Sequence, residues 1–277
     1  MSLGITSETL ISDAPIEVDG WSPQNYGGGN DGQVTLTEAF ARSLNVATVR
    51  LAASIGTENI IAVARQLGIE GTLTDGLSLA LGSSEVTLLD MTEAYAAVLA
   101  GHLPVEATGV ASMTVGDSGT ALAIPKHGPD AVQMANTRQP MLDMLRAVVT
   151  SGTGQGANAA GFVAGKTGTS QENRDAWFIG FSDTLVIGVW VGNDDGSPMQ
   201  GVTGGGIPVD IWRAVIEVSL RSEPGGVSRA SVAPTPVAAT AAPTQCNIRA
   251  CSGTYRSFRA SDCTFQPYRG GRSLCTR

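Results

Sequence analysis

The sequence predicts a mixed α/β (α+β) domain: a helical cluster, then an antiparallel sheet flanked by helices, with a small cysteine-rich module at the C-terminus. Three observations carry this. Helical hydrophobic periods dominate residues 35–154. Three short apolar runs separated by turn residues follow them. All four cysteines fall within the last 32 of the 277 residues.

Taken in order, Thr35–Ser54 has helical spacing and is expected to break near Leu44-Asn45. In TENIIAVARQLG, Ile60, Ile61, Ala64 and Leu67 recur at helix spacing, with Thr57 as the expected cap and Gly68 as the stop. Glu85–Gly101 is apolar on most sides and predicts a buried helix. Glu106–Ile124 reads as short strands around Asp117-Ser-Gly119, and Arg138–Gly154 as an amphipathic helix ending in glycines. The runs FVAGKTGT, AWFIGF and TLVIGVWV are then strands, the last two joined by a tight turn at Ser182-Asp183. Their near-continuous apolar character suits a sheet covered on both faces, with Trp177 and Trp190 in the core. Ile207–Leu220 is helical again.

The composition divides the chain into residues 1–222, a Pro/Ala/Thr-rich linker at 223–245, and a cysteine module at 246–277. The module carries six Arg against one Asp, a net charge of +5, while the remainder holds 11 basic and 24 acidic residues, a net of −13. The overall charge of −8 argues against nucleic acid as a partner. Cys246, Cys251, Cys263 and Cys275 read as two disulfides whose pairing the spacing leaves open, which would place the protein outside the cytoplasm. Zinc is the rival for these cysteines, but no C-x-x-C pair is present and both histidines lie far upstream. No run reaches the roughly 18 apolar residues of a membrane span, and no signal peptide is visible. For an exported protein, that leads us to expect a natural start upstream of Gly4, with Met1-Ser2-Leu3 as an appended beginning.

The stretch Ala164-Gly-Lys-Thr-Gly-Thr-Ser170 needs a role for its lysine. A phosphate loop requires a glycine five positions before Gly165, where Ala160 stands, and a following helix, where a turn and a strand are expected. Lys166 instead opens a K-T-G at the end of an apolar strand, and Ser43-Leu44-Asn45 upstream forms an S-x-N. Alone, each triplet is cheap: S-x-N reads as a helix break with a local cap, and Thr167, Gly168 and Thr169 as strand-end turn chemistry. Together they belong to the active-site set of penicillin-binding proteins and class A β-lactamases.

Longer segments match in order and spacing. DAPIEVDGWSPQNYGG, VTLTEAFARSLNVATVRLA, LALGSSEVTLLDMTEAYAAVLAG and KTGTSQENRDAWFIGFSDTLVIGVWVGNDDGSPM, followed by VTGGGIPVDIW, closely resemble the transpeptidase domain of class A penicillin-binding proteins, over roughly Ile11–Leu220. The resemblance implies the β-lactamase/penicillin-binding-protein fold and a peptidoglycan D,D-transpeptidase. In such an enzyme a serine attacks the D-Ala-D-Ala end of a stem peptide, and an amine of a second stem peptide takes the acyl group. It also implies β-lactams as covalent inhibitors, no cofactor, no metal, and a periplasmic protein anchored in the inner membrane, with an N-terminal glycosyltransferase domain in the parent. Carried onto this sequence, the catalytic residues are Ser43, Asn45 and Lys166. Lys166 would place positive charge near Ser43 and the substrate carboxylate, Ser43 would relay a proton to the leaving amine, and Asn45 would bind the substrate amide. Thr167 and Thr169 would hold the carboxylate, Gly168 would leave room beside the strand, and the Thr169 N–H would donate to the oxyanion.

One departure is decisive. The third motif, S-x-x-K, supplies the nucleophile, yet the only lysines, Lys126 and Lys166, have Ala123 and Val163 three residues before them. The family places this motif upstream of the DAPIE-like segment, so the sequence is expected to begin just after it. These 277 residues are then expected to form no acyl-enzyme. A non-catalytic wall-binding protein is the alternative. A β-lactamase would need an E-x-x-L-N, and the nearest candidate, Glu85-Val-Thr-Leu88-Leu89, has Leu in place of Asn.

Other residues have blander readings. Asp175, Asp194 and Asp195 are expected to be loop and turn acids rather than metal ligands. His102 sits at a helix end and His127 in a loop, neither with a partner at ligand spacing. Trp21, near Tyr26, is a candidate for the cleft wall. The tail CSGTYRSFRASDCTFQPYRGGRSLC resembles a small Tyr-Arg-Ser-rich, cysteine-flanked module of bacterial envelope proteins. Arg249, Arg256, Arg259, Arg269 and Arg272 there are read either as contacts to anionic cell-wall polymer or lipid headgroups, or as part of a stapled appendage.

Overall fold

The structure is a computed structural model that describes residues 4–110, 112–115, 120–122, 132–159, 161–221, 251–252, 257–260, 264–265 and 273–275. The chain separates into two units, Met1–Arg221 and Ser222–Arg277.

The first unit opens with β1 (Leu10–Ser12) paired antiparallel to β2 (Gln33–Thr35). The helices α1 (Leu36–Arg42) and α2 (Asn45–Ile55) follow, separated at Ser43-Leu44, where the sequence predicts the break. Next comes α3 (Thr57–Gln66). Gly56 occupies the N-cap position expected for Thr57. Thr57 is the first helical residue, and its hydroxyl donates to Asp75 Oδ1 at 3.0 Å instead. Then α4 (Leu88–Ala100) starts on Thr87, whose hydroxyl accepts from the Asp90 N–H at 3.0 Å. Only Ala94, Ala97 and Val98 of α4 are buried, and Leu89 is exposed, so the helix is less enclosed than its composition suggests.

Short pairings come next: β3 (His102–Leu103) and, after the hairpin of β4 (Met113–Val115) with β5 (Thr120–Leu122), β6 (Val132–Gln133), which returns to β3. Asp117, Ser118 and Gly119 lie outside the described residues, as do Lys126 and His127. The amphipathic α5 (Arg138–Thr150) leads into the main sheet, β7 (Ala164–Thr169), β8 (Asp175–Phe181) and β9 (Val186–Gly192), antiparallel in that order. The β8–β9 connection closes with Ser182 N–H donating to Leu185 O at 3.0 Å, and α6 (Ile207–Arg221) completes the unit.

Alternation along β8 explains the layers. Phe178 faces one side and packs with Val149, Val189, Val209, Trp212 and Ile216, beneath α6. Phe181, three residues on, faces the other side with Val98, Leu142, Leu145 and Ala164, beneath α4 and α5. The sheet is thus covered on both faces along β8, as its apolar run requires, while β9 is only half-buried. Trp212 is fully buried, meets Phe178 edge-on at 5.3 Å between ring centroids, and donates its indole N–H to Gly180 O at 3.1 Å. Burying each of these two rings is worth about 2–3 kcal/mol. The core tryptophan is therefore Trp212. Trp177 and Trp190, expected inside, form a cross-strand pair at 6.5 Å, and the Trp190 indole N–H is held by Asp175 Oδ1 at 3.0 Å with the residue 37% exposed. The hydrogen bond to Asp175, at the first residue of β8, satisfies the Trp190 indole at the partly exposed end of the sheet.

In the second unit the described residues include β10 (Thr264–Phe265) paired with β11 (Ser273–Leu274), and a disulfide between Cys251 and Cys275. Cys246 and Cys263, the linker 223–245, and Arg249, Arg256, Arg269 and Arg272 lie outside the described residues.

Candidate active site

Ser43 ends α1 in the left-handed conformation, with φ 56° and ψ 49°. A non-glycine residue there costs of order 1 kcal/mol, a cost borne where surrounding contacts fix the position. The conformation reverses the chain between α1 and α2 and presents the Ser43 hydroxyl toward β7. Lys166, on the edge strand β7, donates from Nζ to Ser43 Oγ at 3.0 Å and to Thr167 O at 3.0 Å, across 123 residues of sequence in the first case. The Lys166 ammonium also lies 5.8 Å from the centroid of the Phe40 ring on α1. Among the described residues no acid forms an ion pair with Lys166, and burial pushes it down from 10.5 to about 8. A lysine near neutrality can both carry charge and accept a proton.

The remaining sequence candidates gather around this pair. Thr167 Oγ1 lies 2.6 Å from Thr153 Oγ1. Thr169 Oγ1 accepts from Gly204 N–H at 3.0 Å. A Cβ on Gly168 would lie 3.2 Å from the Trp177 Cβ, so cross-strand packing, besides any need for room, favours glycine there. Asn45 opens α2, and its Nδ2 donates to Gln24 O at 2.8 Å. A groove of about 410 Å³ joins Asn45 and Thr169 to Trp21, Tyr26, Leu81 and Asn173. Trp21 thus stands on the cleft wall, as expected from sequence. Of the sequence candidates, Asn45 and Thr169 line this groove, while Lys166, Ser43 and Thr167 are linked to one another by the contacts above.

Several positions escape the sequence reading. Thr153 reaches Thr167, and its N–H donates to Ala41 O at 3.1 Å, tying the end of α5 to α1. Gly204 closes against β7: a Cβ there would run into Gly168 O. Asp13, Gln24 and Asn25 hold the S-x-N turn from outside. Their signal in the sequence is only that they sit inside the DAPIEVDGWSPQNYGG segment, with no spacing rule linking them to Ser43. Elsewhere, Asp195 accepts from Ser197 N–H at 2.9 Å as a turn acid, and hydrogen bonding from the Ser197 side chain and then its backbone lowers its pKa. His102 Nδ1 is buried with no hydrogen-bond partner among the described residues. Among the described residues no cluster of three His, Cys, Asp or Glu could hold a metal.

The model of the penicillin-binding protein transpeptidase domain matches residues 2–216. The chain belongs to the penicillin-binding protein transpeptidase family. Residues 247–276 match the BA14K-like protein family, which covers the cysteine module. Penicillin-binding protein 1A of Neisseria lactamica is 33% identical over 241 residues, spanning 81% of this chain and 30% of that protein. That of Aquifex aeolicus is 36% identical over 215 residues, spanning 76% of this chain and 29% of that protein. The chain thus spans about a third of the length of these curated relatives. Among solved structures, penicillin-binding protein PonA1 from Mycobacterium tuberculosis superposes with a TM-score of 0.66 at 25% identity, over 79% of this chain and 65% of that one. Its complex with penicillin V gives a TM-score of 0.63 at 26% identity, again over 79% and 65% of the two chains. In this chain of the transpeptidase family, the K-T-G of β7 stands directly beside the S-x-N turn.

Proposed function

We propose that the first unit provides the substrate-holding half of a serine D,D-transpeptidase site acting on D-Ala-D-Ala stem peptides of peptidoglycan. The observation that carries the reading is the 3.0 Å contact of Lys166 Nζ with Ser43 Oγ beside Asn45. Lys166 attracts the substrate carboxylate and, near its depressed pKa, exchanges a proton with Ser43. Ser43 passes that proton to the departing D-Ala amine. Thr167 and Thr169 receive the carboxylate, and the Thr169 N–H donates to the oxyanion of the tetrahedral intermediate. Asn45, with its NH₂ committed to Gln24 O, turns its carbonyl oxygen toward a peptide N–H. A β-lactam, which mimics the D-Ala-D-Ala end, would occupy the same groove.

The nucleophile has to come from an S-x-x-K, and residues 1–277 contain none. The chain as given therefore forms no acyl-enzyme, and the groove binds stem peptide or β-lactam only reversibly. Labelled penicillin tests this: a stoichiometric covalent adduct on these 277 residues would refute it. Extending the chain at its N-terminus with an S-x-x-K segment from a relative should restore the adduct, and Lys166→Ala in that background should abolish it. Failure to restore it in a folded extension favours the non-catalytic wall-binding reading. Work outside the cytoplasm is supported by the Cys251–Cys275 disulfide. Contact of the basic module with wall polymer rests on its net charge of +5 and is tested by salt-sensitive binding to purified sacculi.

A further inference from the structure

We propose that Asp13, acting with Asn25, is the positioning residue of the S-x-N turn: a cap supplied from far upstream that fixes where Ser43 and Asn45 present their side chains. The inference rests on the reading of Ser43, Asn45 and Lys166 as the site, and goes beyond it by naming what holds them.

The turn cannot cap its own helix. An α-helix starts with N–H groups that lack intrahelical partners, usually satisfied by a Ser, Thr, Asp or Asn side chain at the N-cap. Here the N-cap of α2 is Leu44, which makes no side-chain cap hydrogen bond. The Ser43 hydroxyl accepts from Lys166, and the Thr48 hydroxyl, in the first turn of α2, donates to Leu44 O at 2.8 Å. The N–H groups of Val46 and Ala47 take their acceptors from elsewhere.

Both come from the upstream loop. Val46 N–H donates to Asn25 Oδ1 at 3.1 Å, and Ala47 N–H to Asp13 Oδ1 at 3.2 Å. Asp13 is fully buried, an expensive place for a carboxylate unless its lone pairs are matched. They are: Oδ2 accepts from Asn25 Nδ2 at 2.7 Å and from Asp31 N–H at 3.0 Å. A negative group at a helix N-terminus also meets the positive end of the helix dipole. Asn25 Nδ2 further donates to Gly29 O at 3.1 Å, which fixes its orientation.

The same loop grips the other flank of the turn. Asp31 pairs with Arg42, the last residue of α1, at 2.6 Å. Gln24 O, next to Asn25, receives the Asn45 carboxamide. One turn into α2, Arg50 donates from Nε to Ser12 O at 2.8 Å and from its Nη2 to Ala14 O at 2.6 Å, on either side of Asp13. Residues 12–31 therefore hold the left-handed Ser43 from before and after, and orient Asn45 directly. Asp13 touches no substrate; it acts through α2.

The test uses the chain itself, whose only lysines are Lys126 and Lys166, so selectively labelled lysine gives two side-chain signals by NMR. In the wild type, the Val46 and Ala47 amides should be protected from hydrogen exchange; unprotected amides there overturn the proposal at once. In Asp13→Asn, an amide donor replaces an oxygen that accepts hydrogen bonds. Exchange at Val46 and Ala47 should accelerate at least about tenfold. The Lys166 signal should move and titrate higher by about one pH unit, as water reaches the ammonium. Asn25→Ala, which removes the Val46 acceptor and one Asp13 partner, should move both readouts in the same direction and serves if Asp13→Asn does not fold. Ile216→Ala, on the buried face of α6, should lower thermal stability without moving the Lys166 titration. Folded Asp13→Asn or Asn25→Ala protein whose Lys166 titration coincides with wild type refutes the positioning role. Failure of the penicillin assay bears only on the chemistry assigned to the site and leaves this result standing.

Discussion

Lys166 makes the stability of the first unit depend on pH in a direction that can be worked out. Burial lowers its pKa from 10.5 in the unfolded chain to about 8. Between those values the unfolded state binds a proton that the folded state does not, so stability rises with pH across that window. Below pH 8 both states are charged and the folded protein carries the full penalty, about 3 kcal/mol for this displacement. Raising the pH from about 7 to about 10 should recover about 2–3 kcal/mol, most of that penalty. Lys166→Met keeps much of the side-chain volume and has no proton to lose, so it should lack this gain. Tyr95 works the other way: burial raises its pKa, so it costs stability above about pH 10. Subtracting the Lys166→Met curve from wild type removes that contribution. The assay is urea unfolding at four pH values between about 7 and 10, followed by tryptophan fluorescence, since Trp21, Trp177, Trp190 and Trp212 all lie before residue 222. A wild-type minus mutant difference that changes by less than about 0.5 kcal/mol over that range would show that Lys166 titrates as an exposed lysine, and the account of its site would fail.

Other outcomes follow from the packing. Trp212→Ala should cost about 3–5 kcal/mol, because it empties the space between α6 and Phe178 and leaves Gly180 O without its indole donor; thermal melting measures it. Gly152→Ala should destabilise by about 1–3 kcal/mol, since its Cβ would run into Ala41 O beside the Thr153–Ala41 hydrogen bond, and an unchanged melting temperature contradicts the geometry. Trp190→Phe should cost less than about 1 kcal/mol, because it removes one partly exposed hydrogen bond to Asp175 and little core. Reducing the Cys251–Cys275 bridge, whose cysteines stand 24 residues apart, should remove about 3 kcal/mol from the second unit. Limited proteolysis should then cut between Ser222 and Arg277 faster with reductant than without it, and equal rates would show that the bridge contributes nothing there.

The sequence alone determined the order of the helices and of β7 to β9, though not the short strands β1, β2, β3 and β6, and it supplied the candidate chemical set. Helical periods mark α1 to α6 because apolar residues recur at fixed spacing, although α3 buries none of its residues fully, and the apolar runs mark β7 to β9 because both faces of β8 are covered. Lys166, Ser43 and Asn45 could be proposed from sequence because their motifs are local: three adjacent residues carry each. The places of Thr57 and the two cross-strand tryptophans could not be, because a cap depends on backbone angles and a tryptophan's depth depends on which helix lies above it. Only the tertiary structure decided that Lys166 meets Ser43 across 123 residues, that Thr153 joins α1 to β7, and that Asp13 and Asn25 cap α2. Hydrogen bonds between distant segments leave no period in the chain. Their partners are set by where the backbone turns, and a buried carboxylate at position 13 becomes meaningful only when the helix it caps is in place.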